Sequence, residues 1–173
     1  MDKNNKKNLV VYFSHKGQNY FNGRIIDLAI GNTEVAAEII SKLTDADMFK
    51  VESVQEYPKD YNKCTMVAQA ELRENARPRL ASDINTDQYD VIYLGYPNWW
   101  GTMPMVLWTF LESHNLAGKI IYPFCTHEGS GMGKSESDIR RLCPNSEIKR
   151  GLAIDGSSVK KAETNIKNWT MKG

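Results

Sequence analysis

The strongest constraint on this chain is a rhythm. Short apolar runs without polar alternation recur, and each is followed by a stretch with helical spacing. The runs are Asn8 to Phe13 (NLVVYF), Val91 to Gly95 (VIYLG) and Lys119 to Cys125 (KIIYPFC), and Asp47 to Val51 and Ile148 to Ile154 are two further strand candidates. An uninterrupted apolar run of this length is the pattern of a strand buried on both faces. Between the runs, Val35, Ile39, Ile40 and Leu43 share one face of a helix that begins at Asn32. Residues 60–76 are rich in Ala and Glu and read as a helix ended by Pro78. Pro104 opens a third, with Val106, Leu107, Phe110 and Leu111 inward. Ser135 or Ser137 starts a fourth that runs through Leu142, and Val159, Ala162, Ile166 and Trp169 mark a closing helix. Strands alternating with helices in this way imply an α/β fold, a parallel sheet covered on both faces. Two details complicate the pattern. Pro123 removes a ladder donor and is expected near its strand's end, not in a central position. Asn22-Gly23, between Tyr20-Phe21 and Ile25-Ile26, signals a β-hairpin after the first strand.

A length of 173 residues suits one domain. The polar start MDKNNKK reads as a frayed tail over residues 1–7, and residues 8–173 as that domain. The net charge of +1 and the lack of a Lys/Arg stripe point away from nucleic acid. The sequence holds no apolar stretch fit for a signal peptide or a membrane span. Its three cysteines, Cys64, Cys125 and Cys143, form no CxxC pair and no metal spacing, which suits reduced thiols in the cytoplasm.

Right-handed crossovers place ligands at the carboxyl ends of the strands, where the winding reverses. The first strand ends in Ser14-His15, and its helix begins at Gly31-Asn32-Thr33. Hydroxyls, an amide and free N–H groups at a helix N-terminus suit a phosphate dianion. The same residues suit simple capping by Asn32 or Thr33. The third strand runs into Tyr96-Pro97-Asn98-Trp99-Trp100-Gly101. Adjacent tryptophans in a loop either pack on neighbouring helices or offer an exposed face for something flat. The fourth strand runs into Thr126-His127-Glu128-Gly129-Ser130-Gly131. Glycines 129, 131 and 133 allow close backbone approach to a ligand, or merely a tight turn. The stretch HEGSGMGKS is no phosphate-binding P-loop, because Glu128 stands where the first Gly belongs. Cys125 is no phosphatase nucleophile, since Gly131 occupies the place of the required Arg. His127 reads either as a proton donor to a quinone-like acceptor or as a surface hydrogen-bonding histidine. A phosphate cradle, an aromatic loop and a glycine loop together fit a phosphorylated planar ligand, of which flavin mononucleotide (FMN) is the natural candidate.

Taken in order, VVYFS…GNTEVAAEII, YPNWWGTMP and FCTHEGSG resemble the strand, phosphate loop and two flavin loops of the flavodoxin-like family, in the short-chain subgroup with a Pro-x-Trp-Trp-Gly loop. The resemblance implies a five-stranded sheet in the order 2-1-3-4-5 and FMN held without a covalent link. By motif, Ser14, His15, Asn32 and Thr33 would hold the phosphate. The loop from Tyr96 through Pro97, Asn98, Trp99, Trp100 and Gly101 would contact the isoalloxazine. Thr126, His127, Glu128, Gly129 and Ser130 would meet its pyrimidine edge through backbone N–H groups, and His127 is the catalytic candidate. Two features depart from the family pattern. A hairpin over residues 16–30 is spliced into the phosphate loop, where it could cover the flavin, meet a second subunit or add Lys16, Gly17 or Asn19 to the phosphate site. The near-neutral charge differs from the strong acidity of electron carriers. It favours an FMN-dependent oxidoreductase using NAD(P)H and a small quinone-like electron acceptor. The alternatives are a carrier between redox protein partners and a doubly wound binding module without flavin. A homodimer is among the assemblies left open.

Overall fold

The structure is a computed structural model and describes residues 6–172. Most of the expected tail, residues 1–5, lies outside the described residues. Lys7 is already tied down, its N–H donating to an Asp90 carboxylate oxygen at 3.0 Å.

The strands are β1 (Asn8–Tyr12), β2 (Gly17–Phe21), β3 (Arg24–Leu28), β4 (Asp47–Lys50), β5 (Val91–Pro97), β6 (Ile120–His127), β7 (Glu147–Ile148) and β8 (Leu152–Asp155). The α-helices are α1 (Asn32–Thr44), α2 (Tyr61–Arg73), α3 (Met105–Ser113), α4 (Ser135–Leu142) and α5 (Glu163–Lys172). A 3₁₀ segment, Gly156–Lys161, precedes α5. The main sheet is parallel and runs β4–β1–β5–β6, with β7 and β8 sharing the far edge of β6. Counted as the five expected strands, this is the order 2-1-3-4-5. The Asn22-Gly23 signal holds as well. β2 and β3 pair antiparallel around a turn with φ of 51° at Asn22 and 83° at Gly23, the geometry of a type I′ hairpin.

The unalternating apolar runs follow from burial on both faces. Leu9 and Val11 of β1 enter one core with Val106, Leu107 and Phe110 of α3 and Ile139 of α4. Val10 and Tyr12 enter the other with Ala36, Ala37 and Ile40 of α1 and Ile166 of α5. On α1 the most buried line is Thr33, Ala36, Ala37 and Ile40, while Val35, Ile39 and Leu43 flank it. Small alanines let the helix lie close to the sheet, and the larger side chains seal its margins.

Two expectations are corrected. Pro123 lies mid-strand, opposite Leu94, not near the strand's end. The Ile120 N–H donates toward β5, to Asp90 O, whereas the Ile121 carbonyl accepts on the other side, from Lys149 N. Backbone groups alternate sides along a strand, so Pro123 shares the side of Ile121. There β7 pairs with Ile120 and Ile121, and β8 takes over only at Phe124. The missing donor falls in the gap between them. That gap is the second correction: the fifth strand is not continuous from Ile148 to Ile154. It breaks at residues 149–151, where the Gly151 N–H turns from the sheet to Glu136 Oε2 at 3.0 Å.

No helix among the described residues is long and apolar enough to cross a membrane. None of their His, Cys, Asp and Glu side chains form a group suited to a metal ion.

Candidate functional site

The carboxyl ends of β1, β5 and β6 open into one cleft of about 490 Å³. Its floor on one side is the first turn of α1. Gly31, the capping residue just before that helix, makes no side-chain cap. Ser14 caps it from the end of β1 instead, its Oγ accepting the Glu34 N–H at 3.1 Å. Val35 N–H returns to Gly31 O at 3.3 Å. The N–H groups of Asn32 and Thr33 have no partner among the described residues, and they point out of the positive end of the helix dipole. Capping by the Asn32 or Thr33 side chain is therefore not what forms. The Thr33 hydroxyl is buried against Thr126 Oγ1 at 2.7 Å, which locks the start of α1 to the end of β6.

The tryptophan loop is a tight turn. Trp99 N–H donates to Thr102 O at 2.9 Å and Thr102 N–H to Trp99 O at 3.3 Å. Trp100 and Gly101 between them have φ of 56° and 87°, again type I′ geometry, for which glycine at the second place is favourable. The turn sends the two indoles to different environments. Trp99 packs edge-on against Phe13, Tyr57 and His15, at centroid distances of 5.1, 4.9 and 5.9 Å. Trp100 stays 50% exposed, yet its Nε1–H donates to Thr65 O at 3.0 Å, so the ring is held in place.

The glycine loop docks onto this turn. Asn98 bridges them, its Oδ1 accepting the Gly101 N–H at 2.9 Å and its Nδ2 donating to Gly131 O at 2.8 Å. Lys134 N–H donates to Gly101 O at 2.6 Å, and a Cβ on Gly133 would overlap that same carbonyl. Glycines 131 and 133 thus serve loop-to-loop packing. Of this loop beyond Glu128, Ser130 lines the cleft.

The titratable residues are placed as follows. His127 Nδ1 accepts the Gly129 N–H at 2.9 Å, which leaves the ring proton on Nε2. His15 Nε2 donates to Pro58 O at 2.8 Å. Glu128 turns toward α1 and the hairpin tip, where its Oε2 accepts the Asn22 N–H at 3.3 Å. Its Oε1 is buried with no hydrogen-bond partner. Burial raises the Glu128 carboxyl above its ordinary range, with nearby Asp155 adding to the effect. Burial also pushes the Cys64 thiol up to about 12 and the Cys125 thiol higher still, so both behave as protonated, apolar groups.

Four expected site residues are not part of the lining: Ser14, Tyr96, Gly101 and Gly129. Tyr96 is wholly buried, its hydroxyl bonded to Ser135 Oγ at 2.8 Å. The other expected residues line the cleft. It also has a wall beyond the three motif loops: Asn19, which the sequence left open as a site residue, with Gln18 and Tyr20 of the same hairpin, and Tyr61, Cys64 and Thr65 of α2, which carried no signal. The hairpin is fastened there by Gln18 N–H on Lys59 O at 2.8 Å and Tyr61 N–H on Gln18 Oε1 at 2.9 Å. Asn22-Gly23 signalled the hairpin, but no local pattern says what it folds against.

A family model described as flavodoxin matches residues 7–172. Comparison with curated proteins finds no match. Among solved structures, a candidate flavoprotein from Bacteroides eggerthii is 29% identical, with a TM-score of 0.72 over 94% of this chain and 98% of that one. A second from Bacteroides uniformis is 26% identical, with a TM-score of 0.73 over 96% and 98%. A flavoprotein from Lactobacillus acidophilus, solved in complex with FMN, is 24% identical, with a TM-score of 0.66 over 90% and 97%, a likeness of fold.

Proposed function

Since this chain belongs to the flavodoxin family, we propose that it binds FMN in the cleft and acts as an FMN-dependent oxidoreductase on a small quinone-like acceptor. One observation carries the reading. The unpartnered N–H groups of Asn32 and Thr33 share a single cleft with the fixed, half-exposed ring of Trp100. A dianion at one end and a flat ring at the other are what such a cleft suits, and its volume lies within the usual range for ligand pockets. FMN supplies the electron-transfer chemistry when bound; the protein supplies binding and orientation.

In this reading the α1 N-terminus takes the phosphate, with Ser14 and the Thr33–Thr126 pair holding that turn rigid. Trp99 and Trp100 bound the ring site, with Asn98 fixing the loop that carries them. The loop after β6 meets the ring's polar edge at the backbone of His127, Glu128 and Ser130, while the Gly129 N–H is held by His127 Nδ1. His127, with its proton on Nε2, is the proton donor toward the acceptor. The Pro-x-Trp-Trp-Gly loop marks the short-chain subgroup. From residue 8 onward the chain acts as one FMN-binding unit, and its three free cysteines support a cytoplasmic protein.

Two measurements test this. Purified protein should carry, or take up from added FMN, one flavin per chain by visible absorption. It should also oxidise NAD(P)H in the presence of a soluble quinone. Flavin uptake without turnover would leave the cofactor and remove the enzyme; absence of uptake would remove both.

A further inference from the structure

The cleft has a charge problem. No lysine or arginine is among its lining residues, and one carboxylate, that of Glu128, is. That carboxylate faces the phosphate end. A Cβ on Gly156 would lie 2.6 Å from Asn32 Nδ2 and 2.9 Å from Glu128 Oε1, so both side chains crowd Gly156 beside the start of α1. Oε1 is buried and makes no hydrogen bond, while Oε2 accepts only the 3.3 Å contact from Asn22 at the hairpin tip. An ionised carboxylate oxygen left without a donor is costly, and a dianion brought beside it is repelled. A carboxylic acid at the same place has an O–H to donate and no charge to repel.

Resting on the reading that this cleft takes FMN, we infer that Glu128 takes up one proton from solvent as the phosphate enters, and donates that O–H to a phosphate oxygen. Glu128 is a positioning residue for the phosphate, and FMN and a proton bind together. The groups facing Glu128 allow this. Asp155 at the end of β8 is a second negative charge and favours the protonated form. His127 beside it and the N–H groups of Asn22 and Ser157 favour the ionised form, and of the two N–H groups only that of Asn22 closes a hydrogen bond. The burial of Oε1 sets the balance toward the acid once an anion is added.

Calorimetry of FMN binding in buffers of different ionisation enthalpy counts the protons directly. At about pH 8 the phosphate of FMN is itself a dianion, since its second ionisation lies near 6. There the wild-type protein should take up close to one proton per FMN. Its affinity should fall about tenfold per pH unit as pH rises further, the slope of a one-proton linkage. Glu128→Gln, which keeps the shape and offers a permanent N–H, should bind FMN without proton uptake and with a flat pH profile. Riboflavin, lacking the phosphate, should show no proton uptake with either protein. Wild-type binding of FMN without proton uptake would overturn the inference. So would uptake in Glu128→Gln equal to wild type, which would assign the proton to His15, His127 or the phosphate. Failure of both FMN and riboflavin to bind would instead overturn the reading of the cleft.

Discussion

Trp100→Ala should loosen FMN while leaving the fold in place, and the magnitude follows from the ring's exposure. Half of Trp100 is open to solvent, at the cleft wall. A tryptophan side chain offers about 150–250 Å² for burial, so roughly 100 Å² remains for a ligand to cover. A flat ring covers about half of that on one face, which gives ~1.2 kcal/mol at ~25 cal/mol per Å². Stacking geometry adds roughly 0.5–1.5 kcal/mol. The sum is about 2 kcal/mol, or roughly thirtyfold in Kd. Folding loses the half of the ring that is already buried, roughly 100 Å² or ~2.5 kcal/mol at ~25 cal/mol per Å². It also loses one exposed hydrogen bond to Thr65 O, worth about 1 kcal/mol. A domain with about 5–15 kcal/mol of stability survives that loss, and alanine inherits the positive φ that tryptophan already tolerates. Quenching of flavin emission on titration gives Kd, and the thermal midpoint of the apoprotein controls for folding. A Kd within twofold of wild type, in a variant whose apoprotein still melts cooperatively, would refute the placement of the ring against Trp100.

Other expectations concern the frame of the cleft. Thr33→Val keeps the shape but strands the buried Thr126 hydroxyl, and should cost about 1–3 kcal/mol in urea unfolding; an unchanged midpoint would mean the hydroxyl pair is not formed. Gly156→Ala drives a methyl group between Asn32 and Glu128, so it should weaken FMN several times more than riboflavin; an equal loss for both ligands would place the phosphate elsewhere. Ile166→Ala empties a fully buried position beneath α5 and should cost about 2–5 kcal/mol; a loss well below this would show that α5 is loosely seated. The apoprotein should also show a pH signature. The folded pKa of Glu128 lies above the ordinary 4.5, so ionising it is harder in the folded chain than in the unfolded one. Its contribution to stability is present below 4.5 and is lost as pH rises through the folded value. The stability difference between wild type and Glu128→Gln should therefore change across that window and be constant above it; urea midpoints that differ by the same amount at every pH would contradict the burial of Oε1.

The fold was legible because its signal is local. Unalternating runs such as VIYLG require burial on both faces, and the structure buries each residue of Val91 to Gly95. The hairpin was legible for the same reason, since Asn22-Gly23 dictates its own turn. What local pattern could not carry was pairing at a distance. Pro123 is tolerated mid-strand because β7 stops and β8 starts opposite it, a fact held by residues some twenty-five positions away. At the site, the three loops were visible as motifs, but their roles were not. Glycines 131 and 133, read as approaching a ligand, hold the tryptophan turn instead. Glu128, assigned with its neighbours to the ring's edge, turns to the start of α1. Tyr20 and Tyr61 carry no motif at all, and come to the cleft because Gln18 ties the hairpin to the first turn of α2.

The placement of FMN is tested most directly by a crystal structure of this chain grown with FMN. The expected result is a phosphate on the N–H groups of Asn32 and Thr33, within reach of Glu128, and an isoalloxazine ring against Trp100. A flavin bound with its phosphate away from the start of α1, or its ring away from Trp100, would contradict the assignment.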